Sequence, residues 1–214
     1  MSDDTYRTLA DRGQAAFEVR GSEFIGHAEP VESREQAEKF IEEIELEYAD
    51  ATHNVPAYRV RDDPLREWSS DDGEPSGSSG KPALNVLQQQ DIENVVVVVT
   101  RYYGGTNLGV GGLARSYSQA VKEAVEAAGV VEAEPHERFE ITVEYDDSGT
   151  VRGVLESATR GARRDERAEN PRDGVEFDAE YGEQVAFEVR VPEEQADALR
   201  DRIRSATSGR AEIE

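Results

Sequence analysis

The chain contains no cysteine, which excludes disulfide bonds, thiolate nucleophiles and thiolate zinc sites. It has three histidines, His27, His53 and His136, too scattered for a histidine-rich metal site. Lysine is equally scarce: Lys39, Lys81 and Lys122 stand alone among 24 basic residues, set against 47 acidic ones. No apolar run approaches the ~20 residues that a membrane-spanning helix needs. The N-terminal MSDDTYRTLADRG is polar and lacks an apolar signal core. These absences predict a soluble, cytoplasmic protein with no membrane partner.

What is present is acid. The net charge is −23 over 214 residues. In dilute salt such a charge would oppose nucleic-acid binding, which depends on neutralising phosphates. An acid-rich, lysine-poor surface that retains arginine suits multimolar salt, where screening removes most self-repulsion. The composition therefore predicts a halophilic, archaeal cytosol, in which local basic clusters say more about partners than net charge does. With 36% hydrophobic residues, the length suffices for two small domains, each with its own core.

Along the chain, Ala16–Val31 reads as two strand pieces broken at Gly21. Ser33 and Gln36 have the spacing of a capping box ahead of an amphipathic helix carrying Ala37, Phe40, Ile41, Ile44 and Tyr48. A strand over Asn54–Arg61 and a long polar loop over Asp62–Gly80 follow, with Trp68 in the loop as a hydrophobic plug. Then come a helix over Pro82–Gln90, a strand over Val95–Tyr103 and a helix over Leu113–Ala128 that ends at Gly129. The unbroken run Val95–Val99 predicts a strand buried on both faces. This first part reads only as α+β. Glu132–Arg138 is charged, contains Pro135 and reads as a linker. Beyond it the pattern predicts strand, helix, two strands, helix and strand, the order of a ferredoxin-like βαββαβ unit. The domains are thus expected at 1–135 and 139–214.

The polar chemistry concentrates between Ser70 and Ser118, in two glycine-rich loops that flank the valine run. The first offers amides from Gly73, Gly77 and Gly80, hydroxyls from Ser76, Ser78 and Ser79, and the ammonium of Lys81, all ahead of a helix. These are the parts of a phosphate or sulfate site; the alternative is a flexible surface loop. It is not a Walker loop, because six residues separate Gly73 from Gly80 and Pro82 replaces the magnesium-binding hydroxyl. Ser78–Lys81 also spells SxxK, without the KTG element of acylating enzymes. Asp71, Asp72 and Glu74 with His53 could ligate a divalent cation, but an acidic loop in an acidic protein is ordinarily solvated, and no metal is expected.

The second loop carries Gly104, Gly105, Gly109, Gly111 and Gly112. Gly109, Gly111 and Ala114 imitate a dinucleotide fingerprint, but they begin several residues past the strand and no second parallel strand follows. Arg101, Tyr102 and Arg115 could present guanidinium and aromatic faces to a phosphate or a stacked base. Equally, Arg101 and Arg115 could pair with Asp71, Asp72 or Glu74 and brace the two loops. Arg160, Arg163, Arg164 and Arg167 form the densest basic cluster, interrupted by Asp165 and Glu166 and read as a solvated face.

SSDDGEPSGSSGKP, then VVVVVTRYYGG and LGVGGLARSYS, together with EFIGHAEPV and ATHNVPAYRV upstream, resemble the Impact/YigZ family. Ser78 stands where the family usually has threonine, and Tyr103 where it usually has phenylalanine. The resemblance implies a first domain with the fold of the second domain of ribosomal protein S5. It also implies a C-terminal domain like the last domain of the translocating elongation factor. In function it implies a non-enzymatic, translation-associated regulator with no cofactor, whose partner is the ribosome, RNA or a translation-associated protein. Eukaryotic members restrain the kinase that senses uncharged tRNA by competing for its activator. The competing reading is an enzyme on a phosphorylated or carboxylated small molecule. There Lys81, Arg101 and Arg115 would hold the anion and Glu74 or Asp72 would act as general base. No nucleophile and no cofactor loop accompanies them.

Overall fold

The computed structural model describes residues 5–61, 64–162 and 174–214, the side chains of 160–162 excepted. The chain divides into two compact units: Arg7–Val131, and Glu132–Glu214 with the N-terminal residues through Tyr6.

In the first unit, β2 (Gly13–Val19) and β3 (Ser22–Pro30) form a hairpin. Its two turn residues, Arg20 and Gly21, have φ of 49° and 82°, the doubly positive turn that matches strand twist. Helix α1 (Arg34–Glu47) starts at Ser33, whose hydroxyl accepts the Gln36 amide at 3.2 Å. The reciprocal half of the box is displaced by one residue, because Gln36 Oε1 accepts from the amide of Glu32. Strand β4 (His53–Val60), β5 (Arg66–Ser69), α2 (Gly80–Gln89), β6 (Val95–Tyr102) and α3 (Gly109–Ala128) follow.

The sheet order is β2-β3-β6-β4-β5, and every pairing is antiparallel. Strand β6 is central and all five valines are fully buried. Val95, Val97 and Val99 pack with α2 and α3, while Val96 and Val98 pack with α1. The strand is therefore buried on both faces, as the valine run predicts, in an antiparallel sheet with helices on each side.

The structure corrects several expectations. The polar loop after β4 contains β5, which pairs with Tyr58 and its neighbours on β4. Trp68 on β5 is no plug: it stacks on Tyr58 with ring centroids 5.5 Å apart and stays 44% exposed. Helix α3 begins at Gly109, not Leu113, so Gly109, Gly111 and Gly112 form its first turn and shorten the second loop.

The expected linker is also ordered, contributing to β7 (Val130–Ala133) and β8 (His136–Val143); β7 pairs with β1 (Tyr6–Leu9) as a separate two-stranded sheet. The second unit continues with α4 (Tyr145–Ala162), β9 (Glu176–Tyr181), β10 (Val185–Pro192), α5 (Glu193–Ala206) and β11 (Glu212–Ile213). Its antiparallel sheet has the order β11-β8-β10-β9. Val151 and Leu155 of α4 and Ala196, Leu199 and Ile203 of α5 join the sheet residues in its core. The strand-helix-strand-strand-helix-strand order is the expected one. The Arg160–Arg167 cluster lies outside the described side chains.

Candidate functional site

The end of β6 sets the site. Arg101 continues the alternation of Val95, Val97 and Val99 and so faces the α2/α3 layer, flanked by Phe24 on β3 and His53 on β4. It is buried, its side chain only 5% exposed. Its guanidinium donates through Nη1 to Glu74 Oε1 at 2.5 Å and through Nη2 to Ser22 Oγ at 3.3 Å, and lies 5.4 Å from the Tyr103 ring centroid. Glu74 Oε1 also accepts the Tyr117 hydroxyl at 2.7 Å. Burial, followed by that bond to the carboxylate, pushes the Tyr117 phenol well above its ordinary range. Of the two roles open to Arg101, the structure shows the brace: strand end, first loop and α3 are tied through Glu74.

Alternation also corrects the aromatic candidate. Tyr102 lies on the opposite face from Arg101, where its hydroxyl donates to Asp50 at 2.8 Å; that bond raises its ionisation range. Tyr103, one residue further, lies beside Arg101 instead.

The first loop supplies its own anion. Asp71 Oδ1 accepts from the amides of Ser79 (3.1 Å) and Gly80 (2.9 Å) and from the Ser79 hydroxyl (2.7 Å), and Oδ2 accepts from the Gly77 amide (2.8 Å). Burial alone would raise the Asp71 carboxyl, but these bonds outweigh it and hold it below the usual carboxylate range. The amides expected to wait for a phosphate at the start of α2 are thus occupied by a side chain eight or so residues upstream. Asp72 is engaged as well, its Oδ2 accepting the Asn54 amide at 2.6 Å. Ser78 is fully buried with an unpartnered hydroxyl, while Lys81 is exposed, so the SxxK spacing forms no Ser–Lys dyad. Ser76 is exposed on the loop tip, and Gly73, turned by a φ of 81°, passes over the His53 ring.

Two loop glycines serve close approach within the chain. A methyl on Gly80 would sit 2.4 Å from the Ser70 carbonyl, and one on Gly104 would sit 1.9 Å from the backbone of Gly21. Around Gly105 and Gly109, by contrast, there is open space.

Gly109 borders a cleft of about 460 Å³ between β4, the two loops and the start of α3. His53, Glu74, Arg101, Tyr103, Leu108 and Val110 are among its walls. Helix α3 enters from Leu108 with no side chain capping its first amides, which leaves a partial positive charge at this end. Arg115 is exposed, its Nη1 3.4 Å from where a methyl on Gly111 would lie. One turn further, Ser118 donates to the Pro82 carbonyl at 3.3 Å, which places Lys81 beside the same helix pair. Among the described residues, Lys81 and Arg115 have no hydrogen-bond or ion-pair partner.

Sequence reasoning missed Tyr103, Tyr117 and Leu108 as site residues and used His53 only as a metal candidate. His53 Nδ1 lies 2.6 Å from the Asp72 carbonyl, which can only accept, so Nδ1 carries the proton. Its Nε2 lies 3.8 Å from Glu74 Oε2. Among the described residues, no group of three or more His, Asp or Glu side chains is placed to hold a metal ion, and no helix is long and apolar enough to cross a membrane.

Two antiparallel α+β units, the first with an open cleft at a helix start, define the class of protein. Comparison with known proteins narrows it. The Impact N-terminal domain model matches residues 20–125, and that of a domain of unknown function (DUF1949) matches residues 171–210. The chain is 32% identical over 209 residues to the IMPACT family member YvyE of Bacillus subtilis (strain 168), covering 98% of this chain and 90% of the relative. It is 33% identical over 140 residues to the IMPACT family member YigZ of Escherichia coli (strain K12), covering 64% of this chain and 69% of that one. A crystal structure of a hypothetical protein superposes with a TM-score of 0.67 over 98% of this chain and 96% of the other; at 24% identity it bears on the fold alone. The chain belongs to the IMPACT family.

Proposed function

We propose that this chain is a non-enzymatic, translation-associated protein that binds RNA, on the ribosome or free, at the cleft where α3 begins. One observation carries the reading. The carboxylates of the first loop are turned inward onto the protein's own amides and onto Arg101. Uncapped amides, Arg115 and Lys81 are left facing outward. A surface so arranged attracts phosphate, since oriented amides and free cations favour an anion. The enzyme reading needs a general base, yet Asp72 is held by the Asn54 amide and Glu74 is held through Oε1 by Arg101 and Tyr117 as a structural tie, which favours binding over catalysis.

The finer fold reading accompanies this. We read Arg7–Val131 as the fold of the second domain of ribosomal protein S5. We read the later unit as ferredoxin-like, because of its βαββαβ order with β8 and β10 at the centre of the sheet. We also read the acidic surface as an adaptation to high salt.

The test is co-sedimentation with ribosomes and their subunits, and anisotropy of a labelled single-stranded RNA, each across a potassium chloride series. Wild type is expected to bind. The Lys81→Ala/Arg115→Ala variant is expected to bind at least about tenfold more weakly, with a shallower salt dependence and an unchanged melting temperature. Equal binding by the two proteins, or no binding by wild type, overturns the proposal.

A further inference from the structure

We propose that the cleft reads a guanine base of single-stranded RNA through the paired acceptors His53 Nε2 and Glu74 Oε2. This rests on the RNA-binding reading above and names what it would recognise.

Glu74 is 8% exposed, and its side chain is 4% exposed. Oxygen Oε1 takes both protein hydrogen bonds, from Arg101 and Tyr117. Oxygen Oε2 has no hydrogen-bond partner among the described residues; its remaining neighbour is His53 Nε2 at 3.8 Å. Among the described residues the fully buried side-chain atoms that lack a partner do not include Oε2, so this oxygen opens on the cleft, where a donor from outside can reach it. His53 matches it. With Nδ1–H committed to the Asp72 carbonyl at 2.6 Å, the imidazole in its neutral form presents only a lone pair at Nε2.

The wall is therefore acceptor-only over 3.8 Å. Arg101 directs Nη1 at Glu74 and Nη2 at Ser22, and its Nε–H, unpartnered among the described residues, is buried away from solvent. The negative charge of Glu74 is already balanced by Arg101, so a neutral donor edge fits as well as a cation.

Of the four RNA bases, guanine alone offers two adjacent N–H donors, N1–H and N2–H, on its pairing edge. Adenine, cytosine and uracil each place a lone pair beside their donor, and that lone pair would meet Glu74 or His53. The rest of a nucleotide also has a place. Tyr103 is 45% exposed and its ring lies 5.4 Å from the Arg101 guanidinium carbon, so it offers a flat, polarised platform for stacking. The uncapped start of α3, from Leu108 to Val110, lies at the same cleft for the phosphate. Base edge, ring face and phosphate thus each meet a suitable surface within about 460 Å³.

The probes are fluorescent hexamers of uridine, unmodified or carrying one central guanosine, adenosine or cytidine. Wild type is expected to prefer the guanosine hexamer by about tenfold, the discrimination of one good two-point base contact. His53→Ala should lose the preference while keeping affinity for the uridine hexamer. Lys81→Ala/Arg115→Ala should weaken all four alike and keep the ratio. A readout on wild type needs no variant. With three histidines in the chain, the His53 ring resonances can be assigned, and they should move with the guanosine hexamer and stay still with uridine. Equal affinity for all four hexamers, still dependent on Lys81 and Arg115, overturns the guanine reading and leaves the RNA reading standing. No binding of any hexamer or of ribosomes overturns both.

Discussion

Asp71 shows how one side chain can satisfy a loop that looks built for a ligand. Its four hydrogen bonds fold the first loop and cover the opening amides of α2. Asp71→Asn removes the charge and part of the acceptor capacity. It should lower unfolding free energy by about 2 kcal/mol, within the range for hydrogen bonds to a charged group, read as a shift in urea midpoint at constant slope. An unchanged midpoint would mean that solvent replaces the carboxylate at no cost. His27 gives a second test. It is 3% exposed, donates from Nε2 to Thr100 Oγ1 at 3.2 Å, and packs its ring against Tyr48 at 4.9 Å. Burial first, and then the Arg12 charge, lower its pKa from 6.5 to about 4. The unfolded chain therefore binds a proton that the folded one refuses. Stability from this residue is complete above pH 6.5 and declines between pH 6.5 and about 4, a loss on the order of 3 kcal/mol. His27→Gln should flatten that part of the stability profile; an identical slope in the variant assigns the acid sensitivity elsewhere.

At the scale of elements, α3 lies unusually close to the hairpin strands. A methyl on Gly26 of β3 would sit 2.3 Å from the Ala120 carbonyl, and one on Gly13 of β2 would sit 2.4 Å from that of Ala124. These are backbone atoms of a helix packed on a sheet and cannot step aside. Gly26→Ala should therefore cost about 3 kcal/mol or more by overpacking, seen as a lowered melting temperature or loss of soluble protein. A variant as stable as wild type would show that α3 can slide. That contact was invisible in the sequence, where Gly26 reads only as a residue within a strand. Element existence was legible: the valine run, the Ser33 cap and the βαββαβ rhythm each follow from local chemistry. Boundaries were less so. Glycine-rich Gly109–Gly112 opens α3 against its propensity, because Leu113, Tyr117 and Ala120 behind it are buried. Strand β5 was hidden because its residues Arg66–Ser69 are mostly exposed at a sheet edge and carry no alternation.

At the scale of the molecule, the charge of −23 should make stability rise with salt. Screening shortens from ~10 Å at 0.1 M to ~3 Å at 1 M and relieves repulsion between surface carboxylates. Melting temperature in potassium chloride is expected to climb by several degrees over that range, with sodium chloride giving the same result. A flat or falling curve would remove the basis for reading the surface as salt-adapted. Composition, the absence of thiols, the element types and the family motifs were determined by the sequence alone, because each depends on residue identity and short-range order. Which of the loop residues face a ligand was decided only by the tertiary structure. Asp71 and Glu74 are alike as acidic residues of one loop, yet one is consumed by four donors while the other keeps an oxygen open beside His53. That difference arises where β4, β6 and α3 bring together residues 21 to 64 positions apart, among them His53, Glu74, Arg101 and Tyr117. Local sequence carries no record of such an encounter, because it is created by packing.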